Sequence, residues 1–100
     1  MAFSSPHLDA TFAAAAGEDL TLMAELRAVF AESLERQIDL LGRARCDGNW
    51  AVAAMRLKSL GASFDAPELV ALADEALESA PGEPVGVRKL ETFAAGFSAV

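Results

Sequence analysis

Apolar residues recur at three- and four-residue steps through most of this chain, the spacing that lines one face of an α-helix. The longest run is Met23, Leu26, Phe30, Leu34, Ile38 and Leu41, with Glu25, Arg27, Glu32, Glu35, Arg36 and Asp39 on the other faces. It predicts a helix over about 19–46, capped by Asp19 and closed by Asp47-Gly48. Gly42 weakens its last turns by about 1 kcal/mol relative to alanine. A second stripe, Trp50, Ala54, Leu57, Gly61 and Phe64, predicts a helix from an Asn49 cap to about Phe64. Gly61 leaves room there for a neighbouring helix to approach closely. Met55, Lys58, Ser59 and Ala62 lie away from the centre of that stripe.

Pro67 opens a further helix with core positions Leu69, Leu72, Ala73 and Ala76, and Pro81-Gly82-Glu83-Pro84 breaks it from the last one. That last helix, from about Pro84, offers Val87, Leu90, Phe93 or Ala94, and Phe97. At the other end, Ser5-Pro6 starts a short helix with Leu8, Phe12 and Ala15 or Ala16 on one face, ended by Gly17. Short connections between amphipathic helices favour antiparallel neighbours. The expected fold is all-α: an antiparallel up-and-down four-helix bundle with an extra short N-terminal helix, one domain over residues 1–100. Phe30, Trp50, Leu57 and Phe64 are expected in its core.

Composition agrees. Hydrophobic residues make up 53% of the chain, enough for burial to offset chain entropy. They are mostly alanine and leucine, which favour helix. The formal charge is −7, and no lysine and arginine cluster overrides the repulsion this presents to phosphate backbones. Nucleic acid and anionic membrane surfaces are therefore not expected partners. The single Cys46 cannot form an internal disulfide, and no apolar run approaches the roughly 20 residues of a membrane span. The first residues show no basic segment followed by an apolar stretch, so a cytoplasmic location is expected.

Few residues offer chemistry. One histidine and one cysteine, far apart in sequence, make no metal-ligand set. The carboxylates fall on solvated helix faces, and the glycines form no phosphate-cradling loop. His7, the only imidazole, sits in the N-terminal stretch with no nucleophile beside it. Neither a catalytic group, a cofactor nor a metal is expected, and the chain is not expected to be an enzyme.

The stretch from Ala53 to Ala66, followed by Leu69, carries the most information. Its Ala54, Leu57, Lys58, Ala62, Phe64, Ala66 and Leu69 stand in the register of a known signature. In this the chain resembles the histidine phosphotransfer (HPt) domains of two-component phosphorelays, over roughly residues 8 to 79. The long helix of Phe30, Leu34, Ile38 and Leu41, leading through Asp47-Gly48-Asn49-Trp50 into the motif helix, fits the same pattern.

Two departures matter. Met55 stands where the family has its phosphoacceptor histidine, and Ser59 where it has glycine. Attack on an aspartyl phosphate needs a nitrogen lone pair, which a thioether lacks. Phosphotransfer through this position is chemically excluded. By resemblance Lys58 would neutralise an incoming phosphoryl group; otherwise its stem covers the bundle flank while the ammonium stays in water. Met55 either fills a gap between helices or stands exposed as a contact point.

The resemblance implies a module that binds a response-regulator receiver domain or a histidine kinase without accepting phosphate. Its docking surface would comprise Met55, Lys58, Ser59 and Ala62, with Arg36 or Gln37 from the long helix, and a monomer is expected. The alternative is a helical protein-interaction or oligomerisation module unrelated to phosphorelay, because fold alone does not fix function.

Overall fold

The computed structural model describes residues 10, 12–14, 17 and 19–98, the last by its backbone alone. Every regular element among them is helical, with no strand. Ser5-Pro6, His7, Leu8, Ala15 and Ala16 lie outside the described residues. Residues 12–14 are helical, and Gly17 ends that turn with a left-handed backbone (φ 57°) and an N–H bond to the Ala13 carbonyl.

Helix α1 spans Leu20–Arg43. The Asp19 carboxylate accepts from the Leu22 N–H at 3.1 Å, satisfying one of the donors a helix start leaves open. Phe30, Leu34, Ile38 and Leu41 are buried, while Met23 and Leu26 in the first turns are half-buried. The helix stops three residues short of the expected end. Ala44 turns to an extended conformation and inserts into the core, and the Arg45 guanidinium donates to the Gly42 and Ala44 carbonyls. Those bonds supply partners for carbonyls that a continued helix would have satisfied.

Helix α2 spans Asp47–Ser63 and starts two residues before the expected Asn49 cap. Cys46 is the extended cap residue; its carbonyl takes the Trp50 N–H, and Asp47 places a negative charge in the first turn, where the helix dipole favours it. Trp50, Ala53, Ala54, Leu57 and Gly61 are buried. Phe64 is half-buried against the core rather than fully inside it. The helix is closed by two bonds, Asp65 N–H to the Ala62 carbonyl and Ala66 N–H to the Gly61 carbonyl at 2.7 Å, with Asp65 left-handed (φ 54°). Aspartate is one of the few residues that tolerates this conformation.

Helices α3 (Pro67–Leu77) and α4 (Pro84–Ser98) both begin at their prolines, whose missing N–H and fixed φ suit a first turn. Leu69, Ala73 and Ala76 of α3 and Leu90, Phe93, Ala94 and Phe97 of α4 are buried; Leu72 and Val87 are half-buried. Between the two helices Gly82 adopts φ 85°, and Glu83 accepts from the Val85 N–H.

Contacts run from α1 to α2, α2 to α3, α3 to α4, and from α4 back to α1. At one place the Trp50 indole N–H donates to the Ala76 carbonyl at 2.6 Å, tying α2 to the end of α3. At another, Phe30 packs edge-on against Phe12, Phe64 and Phe97, with ring centroids 5.0–6.0 Å apart. The Arg27 guanidinium lies 4.7 Å from the Phe97 ring centre, a cation–π arrangement. Among the described residues no helix is long and apolar enough to cross a membrane.

Candidate functional site

The inward stripe of α2 leaves an outward one. Val52, Met55, Ser59 and Ala62 follow each other at three- and four-residue steps and are all exposed. Met55 is 50% exposed, so its thioether stands on the surface rather than filling a gap between helices. The two positions that follow it on this stripe carry only a hydroxymethyl and a methyl group. Beyond Met55 the stripe carries only small side chains, and its exposed large apolar side chains are Val52 and Met55.

Lys58 sits beside this stripe and is half-buried. Its ammonium does not stand alone in water: Nζ lies 2.9 Å from the Asp74 carboxylate of α3. Both side chains are a little under half exposed, and a pair of this kind contributes about 0–1 kcal/mol. Its larger consequence is electrostatic. The Asp74 carboxylate neutralises the Lys58 ammonium, so this flank of α2 offers no free cation at position 58.

From α1, Arg36 is exposed and Gln37 half-buried. The Gln37 Oε1 is buried with no hydrogen-bond partner among the described residues. Leu40, one turn beyond Arg36, is 42% exposed, and together with Val52 of α2 it lines a groove at the α1–α2 junction. The structure therefore places Met55, Ser59 and Ala62 together on one exposed stripe, with Lys58 at its flank turned toward α3.

Leu40, Val52 and Asp74 were not among the expected site residues. Val52 was readable, being three residues before Met55 on the same stripe. Leu40 was masked by its neighbour Leu41, which takes the core position. Asp74 had no signal in sequence, because its role arises only from the packing of α3 on α2.

Among the described residues no nucleophile with an adjacent histidine is found. The hydroxyl of Ser59 has no histidine near it in sequence, and Cys46 is exposed at the start of α2, on the other side of the first turns. Among the described residues no group of three His, Cys, Asp or Glu side chains is placed to hold a metal ion. What the arrangement offers is an exposed stripe with apolar Val52 and Met55 at one end and the small Ser59 and Ala62 at the other. Compared with the models of known protein families, with curated proteins and with solved structures, the chain matches none.

Proposed function

We propose that the chain is an HPt-like signalling module that binds a receiver domain or a histidine kinase of a two-component phosphorelay without itself accepting phosphate. In this reading the helices form an antiparallel up-and-down four-helix bundle with an extra short N-terminal helix, and α2 carries the docking face. The observation that supports it most is the exposure of Met55 at the position where the resembling family holds its histidine. Ser59 and Ala62 beside it permit a close approach, and Lys58 is held by Asp74 rather than offered to a phosphoryl group.

Such contacts are transient and bury about 1,200 Å² or less. The protein would then compete for a relay partner, or sequester it. Incubation with phosphorylated receiver domains from the source genome should leave no acid-labile, base-stable phosphate on the chain, while one or more receivers are retained by the immobilised protein. Phosphate on the wild-type chain, or retention of no receiver and no kinase, contradicts this function.

One observation favours the second reading, a plain interaction or oligomerisation module. Away from α2, Leu72, Val85 and Phe93 line an apolar groove between α3 and α4, and Val85 is 47% exposed. Sedimentation at two concentrations separates the two readings: growth in size on concentration, abolished by Val85→Glu, selects the second.

A further inference from the structure

The charges of this acidic protein are segregated. Five of its eight basic residues, Arg36, Arg43, Arg45, Arg56 and Lys58, fall between positions 36 and 58, against only two of its fifteen acidic ones, Asp39 and Asp47. This segment carries +3 in a chain of net −7, so the remainder carries −10. It forms the second half of α1, the connection and most of α2.

The same segment holds a groove lined by Leu40, Arg43, Ala44, Asn49, Val52 and Arg56. Leu40 and Val52 are 42% and 49% exposed, and Met55 stands three residues beyond Val52 on the same stripe. Not every cation here is available. Arg43 is paired with Asp39 at 3.1 Å, Arg45 is turned onto helix-end carbonyls, and Lys58 is held by Asp74. Arg36 and Arg56 are exposed and have no ion-pair partner among the described residues. Arg36 precedes Leu40 by one turn of α1, and Arg56 follows Val52 by one turn of α2. Both arginines therefore stand one turn further from the α1–α2 connection than Leu40 and Val52, at one end of the apolar patch, and Arg56 lines the groove itself.

An apolar centre with a charged rim is how a protein–protein contact is built. Guanidinium groups pair with carboxylates through two parallel hydrogen bonds. Because the rest of the chain carries a net −10, an acidic partner is favoured at this segment over most of the remaining surface, which biases its orientation as well as its site. We propose that the α1–α2 groove docks an acidic protein face, an apolar projection with carboxylates along one side that engage Arg36 and Arg56. This rests on the docking function above. It moves the centre of the footprint from Met55 toward the α1–α2 junction and states the chemistry of the partner.

The test is calorimetric titration of the full chain with the receiver domains of the source genome, at about 50 mM and about 300 mM salt, where screening lengths differ. Arg36→Glu and Arg56→Glu should each weaken binding at low salt by about tenfold, equivalent to about 1.4 kcal/mol. Leu40→Ser should weaken it at both salts. Arg88→Glu, the same charge change on an exposed position of α4, should leave it unaltered. All four positions are exposed, and circular dichroism checks that each variant keeps its helices. If a receiver binds but Arg36→Glu and Arg56→Glu bind like wild type, the groove is overturned and the docking function survives. If no receiver binds, and no histidine kinase domain titrated in the same way binds either, both fall. If phosphatidylglycerol vesicles bind in place of any protein, and Arg56→Glu abolishes that, the groove recognises lipid and the acidic protein face is overturned.

Discussion

Gly61 tests the packing of the motif helix through two opposing effects. In the interior of a helix, alanine is normally better than glycine by about 1 kcal/mol, so Gly61→Ala would stabilise an isolated α2. In this fold the added methyl would lie 3.0 Å from both the Val70 Cγ2 and the Val70 backbone nitrogen, and 3.2 Å from the Ala66 carbonyl oxygen. The side chain of Val70 could give way, but the backbone atoms cannot retreat easily. Ala66 is bonded to Gly61 itself at 2.7 Å, and its carbonyl anchors the first N–H groups of α3. Overpacking of this kind costs about 1–3 kcal/mol, which outweighs the propensity gain. A net loss of about 1 kcal/mol is expected, or about 4–8 °C in melting temperature for a domain of this size.

Gly42→Ala provides the internal control. Its methyl would meet only the Val87 Cγ1 at 3.8 Å, an ordinary contact, so propensity should win and stability rise by about 0.5–1 kcal/mol. Urea unfolding followed by circular dichroism measures both. A Gly61→Ala protein as stable as wild type, or more so, would refute the close α2–α3 approach.

Two further experiments probe how α2 is held. Trp50→Phe removes the indole bond to the Ala76 carbonyl and leaves a small void, and should cost about 1–2 kcal/mol; circular dichroism must report it, as Trp50 is the only tryptophan, and a loss below about 0.3 kcal/mol would show the bond to be idle. A double-mutant cycle of Lys58→Met and Asp74→Asn should give a coupling of no more than about 1 kcal/mol, since both groups are substantially exposed; coupling above about 2 kcal/mol would mean a desolvated pair.

Much of the helical layout was legible because its signals are local. Asp19, Pro67 and Pro84 mark helix starts through their own chemistry, and the stripe from Phe30 to Leu41 needs only periodicity to be placed inward. The errors came where tertiary demands override local preference. Asn49 is the better cap by residue type, yet α2 begins at Asp47, two residues earlier, with the Cys46 carbonyl taking the Trp50 N–H. Likewise α1 ends at Arg43 because Ala44 leaves the helix to enter the core. Asp65 in a left-handed turn would not be foreseen from a residue with a Cβ. In the candidate site, spacing placed Met55, Ser59 and Ala62 off the centre of the inward stripe but left Met55 between a gap-filling and an exposed position, which only the packing of the neighbouring helices decides. The capture of Lys58 by Asp74 had no signal in that spacing, because it depends on how α3 lies across α2.

The most direct test of an HPt-like docking face that no longer takes phosphate is a chemical-shift map. The ¹⁵N-labelled chain is titrated with each receiver domain of its genome. Amides of residues 52–63, together with those around Leu40, should move in a saturable way with at least one of them. Movement confined to α3 and α4, or no movement with any receiver or any histidine kinase domain titrated in the same way, would contradict it.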